Sequence, residues 1–160
     1  MGRTEERYGS PFRKKTDVEL YLDQLPDLWG LIEKRRETVR RISDRVLSVP
    51  SCCPSGDVKV QTSLRPEANF EALIVEKEQL EQELAEMQAA YESLKDQAQS
   101  IIRGRLHGTE RSILIWHYIS MKTWKTITEW CDVSERTVYY LRDRALSKLI
   151  LPEDAIWVSL

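Results

Sequence analysis

The fold of this chain is decided by residues 109–149, TERSILIWHYISMKTWKTITEWCDVSERTVYYLRDRALSKL. Apolar residues recur there at intervals of three and four, which predicts three successive helices. Thr109 and Ser134 are good N-cap residues, because a side-chain hydroxyl can accept a hydrogen bond from a free backbone N–H at the start of a helix. Asp132 tolerates the left-handed conformation that a tight turn between helices needs. The stretch therefore predicts a helix-turn-helix.

The last predicted helix has one apolar and one polar face. Residues at helical spacing form the apolar stripe that is expected to pack: Val138, Leu141, Ala145 and Leu149. The opposite face is mostly polar: Arg136, Tyr140, Asp143, Arg144 and Ser147. A recognition helix in the major groove of DNA needs such an outer face, with base contacts near its N-terminus, and Arg136 and Tyr140 are the best candidates for them. Periodicity alone also fits a helix that only packs on its own domain.

The same stretch resembles region 4 of sigma-70-type factors, with the closing RALSKL at 144–149 especially telling. The other matching positions are Thr109, Glu110, Arg111, Ile113, Leu114, Tyr118, Thr123, Trp124, Ile127, Val133, Ser134, Thr137, Val138 and Leu141. The resemblance implies a helix-turn-helix that binds the −35 promoter element and lies against the RNA polymerase flap. The DNA-binding residues expected from it are Thr123, Lys125, Ser134, Glu135, Arg136, Thr137, Tyr139, Tyr140 and Arg144. Glu135 departs from the pattern, since an acid there suits a cytosine amino group but repels phosphate.

Over most of its length the chain is similar to phage-borne regulators of the ArpU/RinA type, which attach a helical hairpin to an isolated region-4-like unit. The correspondence runs from about Leu20 to Leu149 and comprises a helix, a linker containing VQTS at 60–63, a long acidic helix and the helix-turn-helix. It implies a sequence-specific DNA-binding transcription regulator, phage or prophage encoded. The partners it implies are double-stranded DNA and, by analogy with sigma region 4, RNA polymerase.

Composition favours a helix-rich protein whose contact with nucleic acid is local. The chain has 160 residues, which suits one domain with an extension, and 31% of them are charged against only 6 Gly. A formal net charge of −2 argues against a protein that coats DNA by charge alone. Acidic residues concentrate in the long helix before residue 106, whereas residues 109–149 are mildly basic. The region-4-like end is therefore the expected site of phosphate contact.

The expected architecture is all-α, with an N-terminal antiparallel, coiled-coil-like helical hairpin followed by the region-4-like helix-turn-helix. Its parts are a disordered basic arm at 1–16, a hairpin at 17–106 with a loop at 49–66, a DNA-binding domain at 107–151 and a tail at 152–160. The long second helix carries an apolar seam that is expected to join a second copy in a four-helix homodimer: Leu73, Leu80, Leu84, Met87, Tyr91 and Leu94. A monomer with this helix folded onto the helix-turn-helix is the alternative.

The tail carries Ile156, Trp157 and Val158, an apolar group that needs cover. Packing onto the helix-turn-helix or onto a second subunit is the expected solution. Contact with RNA polymerase is the alternative.

Enzymatic, cofactor-binding and membrane functions find no support in the sequence. No GxSxG, P-loop, HExxH or GxGxxG motif occurs, so we expect no enzyme, no cofactor and no small-molecule substrate. Cys52, Cys53 and Cys131 form neither a disulfide framework nor a paired metal motif, so no metal site is expected. No apolar run is long enough to span a bilayer, which predicts a cytoplasmic protein without a membrane partner.

Two other function classes remain open. A small-terminase-like DNA-packaging subunit also joins a helix-turn-helix to a coiled-coil assembly region, although there the helix-turn-helix usually comes first. A helical adaptor or inhibitor of a host protein would use the hairpin for binding and keep the helix-turn-helix as a scaffold.

Overall fold

A computed structural model describes residues 15–48 and 66–158, with side chains from residue 69 onward in the second range. Every regular element in these ranges is helical: α1 Asp17–Ser48, α2 Pro66–Arg105, α3 Gly108–Leu114 with a π-helical turn Ile115–Ile119, α4 Trp124–Cys131 and α5 Glu135–Lys148. The all-α prediction is thus confirmed for the described residues. The basic arm up to residue 14 and the loop at 49–65 lie outside them.

The chain divides into two compact units at places that the sequence does not mark. Of the described residues, the first unit combines 15–29 with 90–158, and the second unit contains 30–48 and 66–89. The sequence predicts a domain boundary near residue 106, which stays a prediction. The first unit crosses that point because the end of α2 and the helices that follow it are buried together.

The first unit contains most of the buried apolar side chains among the described residues. The start of α1 contributes Tyr21, Leu22, Leu25 and Leu28, and the end of α2 contributes Tyr91, Leu94, Ala98, Ile102 and Leu106. These positions recur every three or four residues, which places them on one face of each helix. Residues of the helix-turn-helix are buried in the same unit: Leu114, Tyr118, Leu146 and Leu149. The start of α1, the end of α2 and these later residues thus belong to one compact unit.

Two contacts within the first unit join α1 to α2. The Tyr21 hydroxyl donates a hydrogen bond to the Gln97 Oε1 at 2.7 Å. Further along α1, the ring centroid of Trp29 lies 5.3 Å from that of Tyr91. The later residue of α1 meets the earlier residue of α2, so in this unit the two helices run antiparallel.

The second unit contains the remainders of α1 and α2. Ile32 and Ile42 are buried on the α1 side, and an Arg35–Glu83 ion pair of 3.2 Å links the two helices. On α2 the predicted seam positions in this unit are half-buried: Leu73, Leu80, Leu84 and Met87. This unit thus keeps apolar surface along α2 that is only partly covered.

The tail docks on α1 and α2 within the first unit. The Gln97 Nε2 donates to the Asp154 carbonyl at 3.0 Å, and its Oε1 accepts from the Ile156 N–H at 2.8 Å. On α1, the Gln24 Oε1 accepts from the Val158 N–H at 2.7 Å. Two glutamine amides of α1 and α2 thus hold the tail backbone, and packing onto a second subunit stays a prediction.

Both long helices carry charge along their whole length. α1 has 32 residues and α2 has 40, which would be long enough to cross a bilayer if they were apolar. Glu37 is one of these charged residues. It pairs with Arg40 and Arg41, both one turn further along α1, and these hydrogen bonds lower the pKa of its carboxyl to about 2. Among the residues that the structure describes, no helix combines the length and apolarity of a membrane span.

Candidate nucleic-acid interface

The two helices of the helix-turn-helix are capped by hydroxyl side chains and joined by a tight turn. The Thr123 Oγ1 accepts from the Thr126 N–H at 3.2 Å at the start of α4, and the Ser134 Oγ accepts from the Thr137 N–H at 3.2 Å at the start of α5. Asp132 lies between the helices in the left-handed region, with φ 50° and ψ 44°. Ser134 as N-cap and Asp132 as the left-handed turn residue are both confirmed. These contacts fix where the exposed face of α5 begins.

The predicted N-cap at Thr109 is wrong. α3 begins two residues earlier than that cap implies, at Gly108, and His107 occupies the N-cap position without a side-chain capping bond. Gly108 has a φ of 60°, a conformation that glycine adopts without steric cost. The glycine therefore sets the start of α3, and Thr109 lies inside its first turn.

A π-helical turn ends the first helix of the motif, which the sequence predicts as regular. The Ser120 N–H donates to the Ile115 carbonyl at 2.9 Å, and the Lys122 N–H donates to the Trp116 carbonyl at 2.8 Å. Met121 completes the turn with a φ of 55°, which a residue with a Cβ rarely adopts. This widened turn leads directly into the Thr123 cap of α4. Nothing in residue spacing distinguishes it from an α-helical end, so sequence reasoning missed it.

Aromatic side chains hold the widened turn against α4 and α5. The His117 ring stacks on Trp124 at 3.7 Å between centroids, and its Nδ1 donates to the Lys122 carbonyl at 2.9 Å. Burial lowers the pKa of His117, so the neutral ring with its proton on Nδ1 is favoured. The ring of Tyr139 lies 5.7 Å from Trp124 on the α5 side. A stacked aromatic layer thus links three parts of the motif.

Arg142 belongs to this layer and not to the exposed cations. Its guanidinium lies 5.1 Å from the Tyr139 ring centroid and 5.6 Å from that of Trp124. Its Nη2 donates to the Asp143 Oδ1 at 2.7 Å, and only 15% of the side chain is exposed. In the sequence, Arg142 is one of the basic residues that make the stretch 109–149 mildly basic. Its contacts indicate a structural role.

The apolar face of α5 closes a small core. Ile113, Ile127 and Val138 are fully buried against one another, and side chains that surround them are partly buried: Trp116, Trp124, Cys131, Val133 and Leu141. The predicted stripe on α5 is thereby confirmed, since Ala145 and Leu149 are buried as well. Leu146 is also buried, although the predicted stripe did not include it.

Most of the residues predicted to bind DNA share the exposed surface of α4 and α5. Tyr139 is half-buried and the others are exposed: Thr123, Lys125, Ser134, Glu135, Arg136, Thr137, Tyr140 and Arg144. The hydroxyl oxygens of Ser134 and Thr137 lie 2.8 Å apart and share a hydrogen bond, so both side chains take part in the N-cap of α5. Whether the set contacts DNA stays a prediction.

Glu110 is a member of this region that sequence reasoning did not single out. It lies in the first turn of α3, is only 6% exposed, and accepts hydrogen bonds from two cations of α5. The Lys148 Nζ donates to its Oε2 at 2.7 Å, and the Arg144 Nε donates to its Oε1. These hydrogen bonds lower the pKa of Glu110, and the bond from Lys148 has the largest effect. A charge count could not reveal the burial, which depends on the packing of α3 against α5.

The predicted oligomerisation residues separate into two groups. Tyr91 and Leu94 are buried within the first unit, so the same chain already covers them. The others lie half-buried in the second unit, as described above.

Cys131 is partly buried against the helix-turn-helix core, and burial raises the pKa of its thiol. Cys52 and Cys53 lie outside the described residues. Within the described ranges, no three His, Cys, Asp or Glu side chains are placed to hold a metal ion.

Comparison with known proteins assigns no family to the chain. No family model matches it, and no curated protein or solved structure matches it either. A functional conclusion therefore rests on the geometry of the helix-turn-helix and on the resemblance described above.

Proposed function

We propose that the protein is a sequence-specific DNA-binding transcription regulator, phage or prophage encoded, which binds promoter DNA through α4 and α5 and acts as a homodimer. The observation that carries the proposal is the exposed face of α5. That helix is capped at Ser134, closed on its apolar side, and presents Arg136 and Tyr140 to solvent. A helix held in this way can enter the major groove without exposing its core.

The start of α5 is the part best suited to contact bases. Arg136 can bind guanine through two hydrogen bonds, and Glu135 can accept a hydrogen bond from the amino group of cytosine. Tyr140 lies one turn further on the same face and is 46% exposed. The exposed Thr123 and Lys125 at the start of α4 suit phosphate contacts, which set the register of the helix on the duplex.

The likeness to sigma region 4 adds RNA polymerase as a second partner of the proposed regulator. A region-4-like unit that binds promoter DNA beside the polymerase can recruit it. The proposed role is regulation of transcription, with the polymerase recruited to promoter DNA.

Fluorescence anisotropy tests this proposal. The purified protein is titrated onto fragments of its source genome over a salt series, together with Arg136→Ala and Tyr140→Ala. We expect selective binding, and each substitution should weaken it by about 1–3 kcal/mol on the selected fragment, because a base contact is lost. Arg40→Ala is the matched control, since it removes one exposed arginine from the second unit.

Weak, unselective binding that neither substitution changes would contradict the proposal. That outcome would favour the adaptor hypothesis and direct attention to the two long helices. Ring-sized particles in light scattering would instead favour a DNA-packaging subunit.

A further inference from the structure

Four side chains form a row along the exposed face of α5. Arg136, Tyr140, Arg144 and Lys148 are spaced four residues apart, so neighbours in the row lie on adjacent turns, and the row winds around the helix by about 120° from first to last. Each step of four residues rises about 6 Å, and the row extends over about 18 Å. All four are exposed. The row therefore carries three cations and one aromatic ring on the surface proposed to face DNA.

The two cations at the far end of the row are held in place by one carboxylate. Arg144 and Lys148 both bind the buried Glu110, one on each carboxylate oxygen. The side chains of Arg144 and Lys148 are each 48% exposed, whereas the side chain of Glu110 is only 8% exposed. The carboxylate thus lies behind the cations, and the outer side of both faces solvent.

This arrangement leaves a net positive charge at the surface, carried by two side chains that are held in place. Two cations share one anion, so the cluster carries a net charge of about +1. Arg144 also lies over the exposed Tyr140 ring, at 5.8 Å from its centroid, which further restricts the guanidinium. Long basic side chains lose conformational freedom when they bind a partner, and a side chain that is already ordered loses less.

We propose that Arg144 and Lys148, mounted on Glu110, form a binding site for the phosphodiester backbone of DNA, with Glu110 as the positioning residue. Arginine and lysine are the side chains that bind phosphate most strongly, and a guanidinium with one N–H used at Nε keeps other N–H groups on its outer edge. Base contacts then fall at the start of α5 and phosphate contacts at its end. This inference rests on the proposed function and divides its residues into two roles.

The salt dependence of DNA binding tests these two roles. Arg144→Gln and Lys148→Gln are titrated onto a selected and an unselected fragment, as full-length proteins whose helicity is checked by circular dichroism. Each lost phosphate contact should reduce the slope of log K against log salt by about 0.9. We expect the loss to be equal on both fragments, so that the ratio of their affinities stays constant. Arg136→Ala, by contrast, should lower that ratio.

The matched control is Arg40→Gln, which breaks an exposed arginine–glutamate pair in the second unit and removes the same charge. It should leave the slope unchanged. Glu110→Gln tests the positioning role, because it makes the cluster more positive but replaces the carboxylate with an amide. We expect the DNA affinity of a folded Glu110→Gln protein to fall severalfold at low salt. A residue that only neutralised the cations would produce the opposite change when replaced.

The inference is overturned if the unaltered protein binds DNA selectively while Arg144→Gln and Lys148→Gln keep its full salt slope. Tighter binding by Glu110→Gln would overturn the positioning role of Glu110. A protein that binds no fragment selectively would overturn the proposed function itself, which distinguishes the two failures.

Discussion

At the scale of single residues, His117 shows how one ring connects several parts of the motif. It lies in the π-helical turn, stacks on Trp124 of α4 and donates through Nδ1 to the Lys122 carbonyl. Burial is the main cause of its lowered pKa; the Lys122 carbonyl and Asp23 oppose the shift, and Arg142 adds to it. Protonation would place a second cation in a layer that already contains Arg142. The neutral ring is therefore part of the folded structure.

This lowered pKa predicts a pH dependence of stability. An unfolded histidine titrates near pH 6.5, so between that pH and the lower folded pKa the unfolded chain binds more protons than the folded one. Stability should therefore be full above pH 6.5 and should fall as the pH decreases through this range. We expect His117→Asn to reduce the difference in Tm between pH 7.5 and pH 5.5, since its side chain does not titrate.

His107→Asn is the matched control, because His107 is exposed at the start of α3. It should keep the pH dependence of the unaltered protein. Thermal unfolding followed by tryptophan fluorescence provides the measurement, with Trp116, Trp124 and Trp130 all in the motif. Equal pH dependence in His117→Asn and the unaltered protein would contradict this account of the ring.

At the scale of elements, the two predicted N-caps offer a direct comparison. Ser134 caps α5 through a hydrogen bond, whereas Thr109 makes no cap. We expect Ser134→Ala to lower the free energy of unfolding by about 1 kcal/mol, as is typical when a capping hydroxyl is lost. Thr109→Ala should cause no such loss, because the substitution is at an exposed position within the first helical turn. Urea unfolding of the two variants measures the difference, and equal losses would argue against the observed caps.

The same elements indicate how far sequence can predict this fold. α4 and α5 follow from it because caps, apolar spacing and a left-handed Asp132 are local features. The π-helical turn does not, since it depends on Trp116 and His117 packing against α4. Nor does the buried position of Glu110, which needs Arg144 and Lys148 to come from a helix more than thirty residues further along the chain. Local chemistry thus predicts the elements, and long-range packing decides which charged groups they bury.

At the scale of the whole molecule, the half-buried seam in the second unit is the basis for the proposed homodimer. An apolar row on a two-helix unit is better covered when a second copy adds two more helices. We expect sedimentation velocity to give a mass near twice 18.7 kDa, and Leu84→Lys should shift it towards the monomer because a charge enters the seam. Ala85→Lys is the matched control, at an exposed position beside it. A monomer at every concentration would contradict the homodimer.

The docked tail also has a consequence for how the protein is made. Val158 binds Gln24 across 134 residues of chain, and Ile156 binds Gln97 across 59. Contacts of such large sequence separation slow folding, since a long loop must close before they form. During synthesis on the ribosome, the first unit cannot be completed until residue 158 has left the exit tunnel. The contacts of the tail therefore form only after α1 to α5 have all been synthesised.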